Sequence, residues 1–82
     1  MTISDLCSTF YGDDVHIYIY HSIYPNLIPE NRYNYSGYIT HGNIIDYPDC
    51  PSYDKNYDNK EIIKWNMDYD IVNNEWVILI QI

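Results

Sequence analysis

The stretch Trp65-Asn66-Met67-Asp68-Tyr69-Asp70-Ile71-Val72-Asn73-Asn74-Glu75-Trp76-Val77-Ile78-Leu79-Ile80-Gln81-Ile82 decides the fold. Two alternating runs flank Asn73-Asn74, a dipeptide that tolerates positive φ at both positions and suits a two-residue hairpin turn. Closing the hairpin there sets Trp65, Met67, Tyr69 and Ile71 opposite Ile82, Ile80, Ile78 and Trp76, all on one side of a sheet. Asn66, Asp68, Asp70 and Val72 fall on the other side, beside Gln81, Leu79, Val77 and Glu75. A slip of one residue would scatter the apolar set, so pattern and turn support the same register.

Working outward, Val15 to Ser22 alternates in the same way. Val15, Ile17, Ile19 and His21 point to one face, and His16, Tyr18 and Tyr20 to the other. Asp13-Asp14 makes the turn before it. Residues Thr2 to Tyr11 read as a helix: Ile3, Leu6, Cys7 and Phe10 repeat at i, i+3, i+4 and i+7. Thr2 is its N-cap, with Asp5 at the third helical position, and Gly12 is its stop. Pro25 and Pro29 make Ile23 to Asn31 a loop. Arg32 to His41 reads as a second strand bulged at Gly37. Gly42 to Lys60, rich in Asn and Asp and holding Pro48 and Pro51, reads as a long irregular loop with one short helical turn. The expected architecture is a single α+β domain over residues 1–82. It has one antiparallel sheet of about four strands with the short N-terminal helix on its apolar face.

Composition narrows the function. The chain has 82 residues, 12 acidic and 4 basic, with a formal net charge of -8. A protein that neutralises about 6–10 phosphates needs a comparable number of cations. Arg32, Lys55, Lys60 and Lys64 are too few, so direct binding to DNA or RNA is not expected, nor is docking on an anionic membrane. At 46% apolar and 17% aromatic, the chain is too rich for a disordered acidic tail. Its eleven tyrosines fit a small sheet with half-exposed faces or a contact surface. Codons of an AT-rich genome favour the same Ile, Asn, Tyr, Asp and Lys. The segment Met1 to Asp5 carries neither basic residues nor a signal-length apolar run, and no stretch reaches the ~18 apolar residues of a membrane span. The expected location is the cytoplasm, with Cys7 and Cys50 as reduced thiols.

The chemistry-bearing residues form no catalytic pattern. His16, His21, His41 and Cys50 lack metal-ligand spacing, and His16 and His21 project to opposite faces. Asp68 and Asp70, about 6.6 Å apart on one strand face, are spaced to hold a weakly bound hydrated Mg²⁺ or Ca²⁺, but they read better as a solvated face. Cys50 lies between Asp49 and Pro51, where acidic neighbours raise a thiol pKa rather than activate it. Gly12, Gly37 and Gly42 form no phosphate-binding cluster. Neither an enzyme nor a bound cofactor or metal is expected.

What remains is the surface. Carboxylates crowd the Asp13-Asp14 turn, the segment Asp46, Asp49, Asp54, Asp58 and Glu61, and Asp68 and Asp70 of the final hairpin. Displayed together they present a field like that of a phosphate backbone, with Tyr47, Tyr53 and Tyr57 as aromatic anchors between them. The same charge also serves simply to keep a small protein dispersed. The opening Thr2-Ile3-Ser4-Asp5-Leu6, the Tyr-Gly-Asp-Asp turn, His16-Ile17-Tyr18-Ile19-Tyr20 and the closing Glu75-Trp76-Val77-Ile78-Leu79-Ile80 together resemble short acidic proteins of phages, prophages and mobile elements of low-GC bacteria. In that group, anti-CRISPR and anti-restriction proteins are single-domain and non-enzymatic. The resemblance implies an inhibitor, monomeric or homodimeric. It would occupy the basic groove of a host defence protein or ribonucleoprotein complex, either a CRISPR effector or a restriction nuclease. It transfers no site residues, because the group shares no functional motif. Two other readings stand beside it: a sponge that stacks a nucleotide signal among Tyr18, Tyr20, Tyr35 and Tyr38, and an accessory subunit that seals its Trp65 and Trp76 face against a partner or a second copy.

Overall fold

The computed structural model describes residues 1–21 and 35–82. The expected Ile23 to Asn31 loop and the first three residues of the expected second strand lie outside them.

The helix α1 spans Ile3–Thr9 and starts on a capping box. Asp5 N–H donates to Thr2 Oγ1 (3.2 Å), and Thr2 N–H donates to Asp5 Oδ2 (2.9 Å). The helix ends at Thr9 with Phe10 as its C-cap, two residues short of the expected Tyr11, and Gly12 makes the exit at φ +83°. Strands β1 (Val15–Tyr20), β2 (Thr40–Asn43), β3 (Lys64–Asp70) and β4 (Glu75–Gln81) form one sheet in the order β2-β1-β4-β3.

The α+β class stands, but the sheet is mixed. β2 and β3 pair antiparallel to their neighbours, whereas β1 and β4 run parallel, from Val15 opposite Trp76 to Tyr20 opposite Gln81. Burial supplies the reason. β1 and β4 bury side chains on both faces, which suits the centre of a sheet, and the more polar β2 and β3 take the edges. The second strand also differs from expectation: it begins at Thr40 and takes in Gly42 and Asn43.

The hairpin closes two residues away from the expected register. Trp65 pairs with Ile80, Met67 with Ile78 and Tyr69 with Trp76. Its loop is Ile71 to Asn74, and only Asn74 takes a positive φ, of 54°. A shift of two preserves the faces, so Trp65, Met67, Tyr69, Trp76, Ile78 and Ile80 still share a side. Ile71, expected opposite Trp76, sits exposed in the loop.

The main core lies on that side. Val15, Ile17, Ile19, Ile78 and Ile80 meet Ile3, Leu6 and Cys7 of α1. Residues 44–63, the connection from β2 to β3, complete the cover with Ile44, Cys50 and Tyr53. They include two short 3-10 turns, Ile44–Asp46 and Lys55–Tyr57. The connection approaches β2 closely at Gly42, where a Cβ would lie 2.9 Å from Cys50 Cβ and 3.0 Å from Tyr53 Cβ. The opposite face, expected to be open, holds a second buried cluster of Tyr20, Tyr35, Val77 and Leu79 with Tyr18 against it.

Candidate functional site

The alternation of Tyr and Asp across residues 46–61 is partitioned by depth. Tyr53 is buried and its hydroxyl donates to Asp58 Oδ1. Tyr47 is half-buried and donates to Ser4 Oγ (3.3 Å), while Ser4 N–H donates to the Asp58 carbonyl (2.9 Å). Tyr57 packs against the core. The three tyrosines expected as partner anchors thus bind the connection down onto α1 and the sheet. Burial, then the hydrogen bond to Asp58, pushes the Tyr53 hydroxyl pKa far up, consistent with a proton held inside the structure.

The carboxylates separate in the same way. Asp46, Asp49, Asp54 and Glu61 are exposed and Asp58 is half-buried. Asp49 Oδ1 accepts from Lys55 Nζ (2.9 Å), Asp54 Oδ1 from Asn56 N–H (3.0 Å), and Glu61 Oε2 from the N-terminal ammonium (3.1 Å). Asp68 is half-buried, and its Oδ1 accepts from Tyr69 N–H (2.8 Å).

Asp70 is no part of a solvated face. It is fully buried, and its carboxylate organises the hairpin loop. Oδ1 accepts from Val72 N–H (2.9 Å) and Asn73 N–H (3.0 Å). Oδ2 accepts from Asn73 Nδ2 (2.8 Å) and from the Tyr35 hydroxyl (2.9 Å). Burial alone would raise its pKa, but these donors outweigh it and hold the carboxyl below its ordinary value. Asp70 therefore makes no cation-binding pair with Asp68.

Topology gathers charge at one end of the sheet. β1 and β4 start where β2 and β3 finish. That end carries Asp13 and Asp14 before β1, Asp46 just beyond β2, Asp70 closing β3 and Glu75 opening β4. Asn43 Nδ2 donates to Asp14 Oδ1 (2.7 Å), fixing the Asp13-Asp14 turn beside β2. Burial, followed by the neighbouring Asp70 and Asp14, raises the Glu75 pKa. Two of the three lysines lie elsewhere, and the third, Lys55, reaches Asp49 just beyond Asp46. Lys64 pairs with Gln81 at the opposite end, and the Lys60 carbonyl accepts from Ile3 N–H at the start of α1.

The second face carries the arrangement that sequence reasoning missed. His16 and Tyr18 of β1 stack at 4.6 Å, and His41 of β2 lies 5.1 Å from His16. His16 Nε2 and His41 Nδ1 are 2.8 Å apart and share one hydrogen bond. Tyr35 stacks on Tyr18 at 4.3 Å, and Tyr38 tilts against His41 at 4.7 Å. Burial, then the neighbouring His41, lowers the His16 pKa, partly opposed by Asp14. Strand parity places His16 beside Tyr18, but only the β1–β2 register brings His41 to them. Of the tyrosines expected to stack a nucleotide base, Tyr18 and Tyr35 stack on each other and Tyr20 is buried.

Both thiols are free and buried in the main core. Burial pushes Cys7 up to about 12, and burial with nearby aspartates also raises Cys50, so neither is primed as a thiolate nucleophile. Among the described residues, no group of three or more His, Cys, Asp or Glu side chains is placed to hold a metal ion, and no helix is long and apolar enough to cross a membrane. Comparison with family models, curated proteins and solved structures finds no match.

Proposed function

We propose that this chain is a non-catalytic acidic module that occupies the cation-lined groove of a nucleic-acid-handling protein. An inhibitor of a host defence complex, either a CRISPR effector or a restriction nuclease, is the class its resemblance implies. The observation that carries the reading is the gathering of Asp13, Asp14, Asp46, Asp70 and Glu75 at one end of the sheet, away from Lys60 and Lys64. A one-signed patch on a rigid sheet meets Lys and Arg that otherwise contact phosphate, and it speeds encounter with them. The contacting groups are the exposed Asp13, Asp14 and Asp46; Asp49 is paired with Lys55, and Asp54 lies beside Thr40 at the far end of β2. Tyr53 and Asp70 are excluded, because both are spent inside the fold.

Purified CRISPR effectors and restriction nucleases, assayed for nucleic-acid binding with and without the chain, provide the test. Inhibition is expected to be stoichiometric and to weaken steeply between about 0.05 and 0.2 M salt. An Asp13→Lys, Asp14→Lys, Asp46→Lys variant that keeps its fold is expected to lose it. Inhibition that ignores salt, or that survives the triple reversal, would remove electrostatic mimicry as the mechanism.

A further inference from the structure

Cover on the main-core side of the sheet stops short of one corner. Val15 of β1 is buried in the cluster with α1, at 4% exposure. Its partner on β4, Trp76, is 49% exposed, and Tyr69, the partner of Trp76 on β3, is 37% exposed. The two rings pack edge-to-face at 5.1 Å and belong to neither buried cluster of the described residues. Ile71 and Val72, in the loop that joins their strands, are exposed as well. A single exposed apolar side chain is ordinary on a surface, but four at one end of one hairpin, two of them large aromatics, mark a place of contact. The border of this corner is anionic. Parallel pairing sets Val15 beside Trp76, so the preceding Asp14 comes in beside Glu75, about one strand spacing (~4.8 Å) away backbone to backbone. Asp14 Oδ1 accepts from Asn43 Nδ2, which holds the Asp13-Asp14 turn there. No described lysine pairs with either aspartate: Lys60 and Lys64 lie toward the opposite end, and Lys55 is bound to Asp49.

We propose that this corner receives an arginine side chain of a cationic protein partner, with Trp76 and Tyr69 as the stacking rings and Asp13 and Asp14 as the counter-charges. A guanidinium is planar, weakly hydrated and permanently charged, so it lies on an aromatic face while its fork donates to a carboxylate. A lysine ammonium is a compact, strongly hydrated point charge and has no plane to lay on the ring. Of the two rings, the tryptophan is the better seat for a cation. The apolar stem of the arginine has Ile71 and Val72 beside it to cover. The charge at the border selects against other occupants. A neutral apolar partner would strip water from Asp13 and Asp14 without replacing it, and an anionic one would be repelled. The rings that alternate with aspartate along the sequence, Tyr47, Tyr53 and Tyr57, are drawn into or against the core, so the aromatic part of a contact surface falls to Tyr69 and Trp76. The site deepens the acidic-module reading given above and rests on it for the charge of the partner.

Calorimetric titration of the full chain with a short peptide of alternating arginine and glycine tests this, beside the same peptide made with lysine and with citrulline, the neutral isostere of arginine. The arginine peptide is expected to bind about threefold more tightly than the lysine peptide, and the citrulline peptide to give no heat below ~1 mM. In a Trp65→Phe background Trp76 is the one remaining tryptophan, and its emission is expected to shift as the arginine peptide binds. Trp76→Leu keeps an apolar side chain and removes the ring; it is expected to weaken the arginine peptide about fivefold. Asp13→Asn with Asp14→Asn is expected to weaken it about tenfold, and both variants to keep the far-UV circular dichroism of the parent. An arginine peptide that binds no better than its lysine or citrulline counterpart, or gives no heat up to ~1 mM, would overturn the proposal. So would an affinity indifferent to Trp76→Leu. Peptide binding is read on the chain alone, which keeps the two readings separable. Effectors that the chain does not inhibit would remove the function and leave this site. Inhibition beside a peptide affinity unmoved by Trp76→Leu would remove this site and leave the function.

Discussion

Asp70 shows how one side chain can look like surface in a sequence and act as a keystone in a fold. Alternation places it among polar residues, yet it is fully buried and accepts from four donors. Asp70→Ala is expected to cost about 3 kcal/mol in urea unfolding, the scale for hydrogen bonds to a charged group, because it also strands the Tyr35 hydroxyl. The sign of its pH dependence follows from its lowered pKa. The contribution is complete above the unfolded carboxyl value of about 3.9 and is lost as pH falls through the lower folded value. Unfolding midpoints of the wild type should therefore drop below about pH 4 more steeply than those of Asp70→Asn. His16 acts in the opposite window. Its folded pKa is lowered, so the unfolded state takes the proton first, and stability falls as pH drops below about 6.5. His16→Gln is expected to flatten that slope in a midpoint-against-pH series. Gly42 is a third such position. A methyl there meets the Cβ atoms of Cys50 and Tyr53, which have no flexible end to swing away. Gly42→Ala is expected to destabilise the chain by about 1–3 kcal/mol by the same urea assay.

At the scale of elements, the parts with a strong period were legible and their joints were not. The i, i+3, i+4, i+7 stripe located α1, and alternation located β1 and both arms of the hairpin. Register was not legible, because a shift of two residues returns every side chain to the same face and the apolar pattern is blind to it. The loop that fixes the register depends on the buried Asp70 carboxylate and Tyr35, a contact between positions remote in sequence. The parallel β1–β4 pair was likewise hidden. Each strand carries its own alternation, and neither says which neighbour it takes. The Tyr-Asp alternation of residues 46–61 was visible, but its division into an inward row of rings and an outward row of carboxylates follows from packing on Ile3, Cys7 and Gly42. Protection should follow the layout. In native-state hydrogen exchange, the slowest amides are expected in Ile17–Ile19 and Val77–Ile80, with β3 exchanging faster than β4 at low protein concentration. Equal protection across all four strands would contradict the edge positions.

For the molecule as a whole, net charge was plain from composition, but its axis emerged only with topology. Carboxylates from four separate stretches meet at one end because β1 and β4 start where β2 and β3 stop. Such crowding works against folding, since like charges repel across the compact state. Raising salt from about 0.01 to 0.15 M shortens the screening length from ~30 Å to ~8 Å and is expected to raise the melting temperature. A melting temperature that falls over this range would mean that attractive pairs such as Lys55–Asp49 outweigh the repulsion. The adjacency of β1 and β4 also has a consequence for how the protein comes into being. Residues 15–20 find their central neighbour only in residues 76–81, so the chain through residue 81 must leave the ribosome before the middle of the sheet exists. Until then, among the described residues, the helix and the connection are what shelter the aliphatic side of β1. Emergence of β4 is thus the moment at which this sheet is committed to its native form.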